Sequence, residues 1–168
     1  MPSGRTVLPA AFAAVFAATP AFADECKQAH AIYADPAGVY ELRFEPVGSE
    51  AAVTSNHFKV TIGKTRLSLD GVVMQSGEPL RANGIVMHDC PTGDVTGAEL
   101  EACTVWQGVI YTVDKAGRVG LLQAEDAPAA ERVLLPGFGP SLRASSAWGE
   151  SKAKADSSDV FEFKGCGA

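Results

Sequence analysis

A chain of 168 residues, 46% of them hydrophobic and 20% charged, holds enough apolar material for one packed core. Its 20 Asp+Glu outnumber 14 Lys+Arg, for a formal net charge of −6. That balance argues against nucleic acid and anionic membrane as partners, since both need a basic face, and it suits a protein that resists self-association.

Residues 1–23 have the three-part organisation of a cleavable secretion signal. Arg5 is the only charge before Asp24, and Val7 to Ala18 is almost wholly apolar, the length of a signal core and too short to span a bilayer. Pro20 breaks that run, and Ala21-Phe22-Ala23 supplies the small-x-small residues a signal peptidase requires. The segment has no polar face to turn toward water, which argues against a first helix of a cytosolic domain. Cleavage after Ala23 is expected. It leaves one globular domain over 24–168, released into a periplasm or beyond the cell. No arginine pair marks a twin-arginine route, and Ala23-Asp24-Glu25 before Cys26 is not a lipoprotein cleavage site. No later stretch reaches the roughly 20 apolar residues of a membrane span.

Cys26, Ala29 and Tyr33 fall at helical spacing, so the mature domain is expected to open with a short helix that Asp35-Pro36 stops. Strands follow. In Val39–Val47, Tyr40, Leu42 and Phe44 alternate with Glu41, Arg43 and Glu45; in His57–Gly63, Phe58, Val60 and Ile62 alternate with His57, Lys59 and Thr61. Leu67 and Leu69 extend the pattern over Arg66–Asp70. Gly71-Val-Val-Met74, Gly84-Ile-Val-Met87 and Gly108-Val-Ile-Tyr111 echo one another and read as a meander of hairpins, each strand opening at its glycine. Thr104–Val113, apolar on both faces, is expected as a central strand. Asp114-Lys-Ala-Gly117 then turns the chain into Val119–Gln123. Asp126 is placed to cap a short helix over Glu125–Leu135, and a second short helix is expected over Ser141–Trp148. Gly149–Asp159 reads as a solvated loop, and Val160–Lys164 as a last strand with Phe161 and Phe163 on the core side. The fold class is mainly β: a small antiparallel sandwich or barrel with two or three short helices.

All four cysteines lie in the mature part, and an even number in an oxidising compartment reads as two disulfides. Cys90–Cys103 would close a short Gly-rich loop and Cys26–Cys166 would tie the ends of the domain. Loop-closure entropy assigns about 3 and about 5 kcal/mol to them, respectively. No Cys-x-x-Cys spacing suggests zinc.

The sequence carries no strong catalytic signature. Gly63-Lys64-Thr65 resembles the end of a phosphate-binding loop, but Phe58 stands where that motif needs glycine. Gly-x-Ser-x-Gly and His-Glu-x-x-His patterns are missing. Three histidines remain, with His30 and His57 expected at the surface. His88 with Asp89, beside Cys90, is the most reactive-looking spot: such a pair can bind a metal or serve as a base with a carboxylate partner. Neighbouring strand residues point to opposite faces, however, so the two need not cooperate. The Pro/Gly-rich Leu135–Ser141 presents Phe138 on a stiff loop, where it can anchor a ligand flanked by Arg143 and Trp148 or fold back as core. Trp106 is expected in the core. Three functions compete: a binding module of the cell envelope taking a protein, peptide or small ligand; a small hydrolase using His88 with Asp89 or Asp94; and a metal or redox carrier. The residues imply no cofactor and no resident metal.

Overall fold

A computed structural model describes residues 1, 25–48, 53–63, 65, 67–93, 95–151 and 156–167. Apart from Met1, the expected secretion signal lies outside the described residues. Ten strands pair antiparallel in one nearly closed sheet: β1 (Ala31–Ala34), β2 (Tyr40–Glu45), β3 (Asn56–Ile62), β4 (Ser68–Ser76), β5 (Arg81–Met87), β6 (Thr104–Val109), β7 (Tyr111–Val113), β8 (Val119–Leu121), β9 (Arg132–Leu134) and β10 (Val160–Cys166). Their order is β6-β5-β4-β3-β2-β1-β10-β9-β7-β8. Three short helices complete the fold: α1 (Gly97–Cys103), α2 (Phe138–Ala144) and α3 (Ala147–Ser151). Among the described residues no helix is long and apolar enough to cross a membrane.

The alternation expected for β2 and β3 is what the sheet uses. Tyr40, Leu42, Phe44, Phe58, Val60 and Ile62 are all buried, because side chains two residues apart share the inner face of a pleated strand. Asp35 sets the β1–β2 turn. Its buried carboxylate accepts the backbone N–H of Val39 at 2.7 Å and of Tyr40 at 2.8 Å, so the turn's orphan donors are met from inside.

Thr104–Val113 departs from its expected place as a central strand. β6 ends the sheet on one side and β7 lies near the other end, although Ile110 alone separates them. Ile110 joins both ends: its N–H donates to the Ala82 carbonyl at 2.9 Å, and its carbonyl accepts the Leu122 N–H at 3.2 Å. The remaining gap is stitched by side-chain amides. Gln75 Nε2 donates to the Leu122 carbonyl at 2.8 Å and Asn56 Nδ2 to that of Gln123 at 3.1 Å. A strand apolar on both faces is therefore the bend at the seam, where one segment serves both edges.

Two expected helices are absent. Only a single 3-10 turn, Gln28–His30, precedes β1, in which Ala31 and Tyr33 face inward. Residues four apart share a face in a helix and in a strand alike, so the spacing of Ala29 and Tyr33 did not discriminate; pairing with β2 and β10 did. Likewise Glu125–Leu135 is not a helix but a turn at Glu125-Asp126 followed by non-helical chain. Lys27 bridges to Pro128, and Arg132–Leu134 is a strand between β10 and β7 with Val133 fully buried. Asp126 caps nothing here.

The three echoed glycines stand inside β4, β5 and β6, not at their starts. A Cβ on Gly71 would lie 2.2 Å from the Phe58 ring, one on Gly84 2.6 Å from Ile110, and one on Gly108 2.7 Å from Trp106. Each missing side chain is the space that a large core residue occupies. Both disulfides pair as expected, Cys26 with Cys166 and Cys90 with Cys103.

Candidate functional site

His88 leaves β5 with its backbone N–H donated to the Cys103 carbonyl at 2.9 Å, which pins it beside the Cys90–Cys103 bridge. Asp89 then adopts a left-handed backbone (φ 48°), unusual for a residue with a side chain. That turn swings its carboxylate round, so that Asp89 Oδ2 stands 3.6 Å from His88 Nε2. The opposite-faces argument assumed an unbroken strand; the chain turns one residue earlier. The His88 side chain is 8% exposed and that of Asp89 84%, a sheltered imidazole beside a solvated acid. Asp94, the alternative partner, lies outside the described residues.

The opposite wall comes from α1, inside the loop expected to be merely Gly-rich. Thr96 Oγ1 accepts the Glu99 N–H at 3.3 Å, and Glu99 Oε2 accepts the Thr96 N–H at 2.9 Å, a reciprocal cap that starts the helix. Those hydrogen bonds, first from the Thr96 backbone and then from its hydroxyl, hold the Glu99 carboxyl below its ordinary range. The Thr-x-x-Glu spacing at 96–99 is the signal that would have revealed this helix. Between the walls lies a cleft of about 300 Å³, lined by His88, Asp89, Pro91, Glu99, Cys103 and Ser146 among others. Its titratable side chains are acids and an imidazole. Among the described residues no group of three or more His, Cys, Asp or Glu is arranged to hold a metal ion.

Ser146 connects this cleft to the second set of expected residues, because it occupies the turn between α2 and α3. Comparison with protein-family models, with curated proteins and with solved structures found no match. The site is therefore read from its own chemistry.

On α3, Trp148 is half-buried, and the Arg143 guanidinium of α2 lies 4.9 Å from its ring centroid. Arg143 Nε also donates to Asp156 Oδ1 at 2.7 Å, and a second nitrogen of the fork, Nη2, reaches the same oxygen. The cation is thus held over the indole by a carboxylate.

Phe138 is placed otherwise than as an exposed anchor. It is the first residue of α2, fully buried, with its ring 6.1 Å from that of Phe161 in an edge-on contact. Helix α2 begins three residues earlier than expected because Pro140 falls in the first turn, where a missing N–H is harmless. Gly137 supplies the left-handed entry (φ 75°) and donates its N–H to Asp159 Oδ2 at 2.9 Å. A Cβ on Gly139 would sit 2.5 Å from the Ser157 carbonyl oxygen, so the helix packs directly on the backbone leading into β10. The segment that looked like a displayed loop is a plug in the end of the barrel. Trp106 is core as expected, 3% exposed, its indole N–H donated to the Pro136 carbonyl at 2.9 Å.

Of the other histidines, His57 stands on the outer face of β3 with Nδ1 3.5 Å from Glu45 Oε2, and His30 ends the 3-10 turn. Neither approaches the cleft residues in sequence or shares their lining. Sequence reasoning found His88, Asp89, Arg143 and Trp148, and missed Glu99 and Ser146. Ser146 carries no local signal; only the packing of the α2–α3 turn brings it to the cleft.

Proposed function

We propose that this protein is an exported binding module of the cell envelope, whose recognition surface is the corner where the His88 cleft meets the Arg143–Trp148 pair. The observation that carries this reading is the shared wall: Ser146 lines the cleft and lies in the turn between Arg143 of α2 and Trp148 of α3, whose guanidinium and ring meet at 4.9 Å. A sheltered imidazole, a solvated carboxylate, a hydroxyl and an aromatic edge are the mixed polar and apolar groups that orient a ligand. The disulfide at one wall and the short helices fix those groups in place, so that binding orders little of the protein. Export is supported by the features of residues 1–23 together with two disulfides, which persist in oxidising compartments.

The test is affinity capture from envelope extract with wild-type protein, Trp148→Ala and Arg143→Ala, each shown by circular dichroism to be folded. A partner or ligand retained by the wild type and lost from both variants is the expected result. Identical capture by all three removes the corner from the reading.

A second reading has one observation in its favour: His88, Asp89 and Ser146, residue types that form nucleophilic sites, line a single cleft. Here the imidazole would act as general base toward the Ser146 hydroxyl. Hydrolysis of p-nitrophenyl acetate that disappears in both His88→Ala and Ser146→Ala would replace the binding reading with this one; turnover unchanged by either variant dismisses it.

A further inference from the structure

The glycines inside the strands each answer to something nearby, with one exception. Gly71, Gly84 and Gly108 leave room for core side chains, and Gly165 stands at the irregularity in the β1–β10 pairing. Gly120, in β8, fits neither pattern. Its φ does not lie in the left-handed region. A Cβ built on it would meet nothing beyond its chain neighbours nearer than Thr112 Oγ1, at 3.9 Å. Backbone and packing would both accept a side chain there. A glycine weakens a strand, and where no protein atom crowds it, it marks a place that another molecule approaches.

Gly120 opens on a cleft of about 660 Å³ beside the β7–β8 hairpin. Another wall of that cleft is the segment leading into β9. Three donations hold it: Ala129 N–H to the Cys26 carbonyl at 2.8 Å, Ala130 N–H to Gln28 Oε1 at 3.3 Å, and Glu131 N–H to the Val113 carbonyl at 3.0 Å. Gly120, Ala129 and Ala130 line the cleft with little bulk, and charges of opposite sign enter it from different elements. Glu25 and Glu131 have no cationic partner among the described residues, and Lys115, in the β7–β8 turn, has no acidic one. Arg118, also in the lining, is engaged by Asp114 at 2.7 Å. The neighbouring cations Lys27 and Arg132 do not line the cleft. A bare cation would meet Lys115, and a bare anion Glu25 and Glu131, so complementarity needs both signs in one molecule. Strands β9 and β8 flank β7, two spacings or roughly 10 Å apart, and about three extended residues cover that distance.

We propose that this cleft binds a short zwitterionic peptide of small residues, lying across β7 with its ammonium group toward Glu25 and Glu131 and its carboxylate at Lys115. The body of the peptide passes over Gly120, Ala129 and Ala130, and a side chain on residue 120 would stand in its path. The cleft shares no lining residue with the His88 cleft, so this site and the corner proposed above stand or fall separately.

Calorimetric titration of the protein with tri-L-alanine tests this, against the N-acetylated and C-amidated forms of the same tripeptide, each of which lacks one charge. Saturable binding at millimolar peptide is expected, about threefold weaker with either cap, the worth of one exposed ion pair. Lys115→Ala should no longer distinguish the amide from the free acid. The double variant Glu25→Gln, Glu131→Gln should no longer distinguish the acetylated peptide from the free amine. Gly120→Val should abolish binding yet melt no lower than the wild type, because β-branched residues suit strands and the space over Gly120 is open. Any of five outcomes overturns the proposal: no saturable binding, equal affinity for the three peptides, unchanged discrimination in the charge variants, retained binding in Gly120→Val, or a marked loss of thermal stability in Gly120→Val. The last would assign the glycine to packing.

Discussion

Replacing Phe138 by alanine separates a core plug from a displayed anchor. The side chain is fully buried, so truncation removes its transfer energy and leaves a cavity at the end of the barrel. Large aromatic-to-alanine changes at such sites cost about 3–5 kcal/mol. The edge-on contact with Phe161, at 6.1 Å and 64°, adds roughly 0.5–1.5 kcal/mol beyond buried area, which places Phe138→Ala in the upper part of that range. Alanine is the best helix former, so the start of α2 is not itself weakened and the loss reports packing. Urea unfolding followed by the fluorescence of Trp106 and Trp148 measures it, and the melting temperature should fall by on the order of 10 °C. Phe138→Leu, which keeps much of the volume, should lose less in the same assay. A loss under about 1 kcal/mol with an unchanged native spectrum would refute the buried placement and restore Phe138 as a surface residue.

The two disulfides should differ in weight. Cys26–Cys166 spans a sequence separation of 140 and Cys90–Cys103 one of 13, so paired alanine replacements should cost about 5 and about 3 kcal/mol in urea unfolding; equal losses would reject the loop-length argument. Gly71→Ala drives a methyl into the Phe58 ring, and a destabilisation of about 1–3 kcal/mol is expected; a neutral effect in thermal unfolding would show that the ring has room to move. Burial, only partly offset by the hydrogen bond to Gln28, pushes the Tyr33 phenol up to about 12. Because the folded pKa lies above the unfolded one, the stabilisation is complete below pH ~10 and is lost as pH rises toward the folded value. Titration of tyrosine absorbance at 295 nm should show a late-ionising group that is missing in Tyr33→Phe, and an unchanged curve would contradict the burial.

The candidate site was legible in part. His88 and Asp89 stood out as adjacent titratable residues beside a cysteine, and Arg143 and Trp148 as a cation near an aromatic. Their relation was not legible, because it depends on a left-handed backbone at Asp89 and on a helix turn that carries Ser146 across to another part of the chain. Phe138 could be read as anchor or as core from the same residues, since prolines and glycines end helices as readily as they stiffen loops. What decided it was Phe161, more than twenty residues away in sequence.

The sequence by itself determined what depends on near neighbours and on composition. Strict alternation named the inner faces of β2 and β3, and an even cysteine number gave two bridges; of three possible pairings the favoured one, Cys26–Cys166 with Cys90–Cys103, is the one the structure holds. Only the tertiary structure decided the rest. Whether 31–34 and 132–134 are strands depends on the unpaired edges beside them, because a backbone donor left alone in a closing sheet is more costly than an unfavourable local propensity. Gly71, Gly84 and Gly108 read as strand openings until Phe58, Ile110 and Trp106 were seen to fill the space over them. Close packing is a property of side chains far apart in the chain, and a short sequence window contains only one of the two partners.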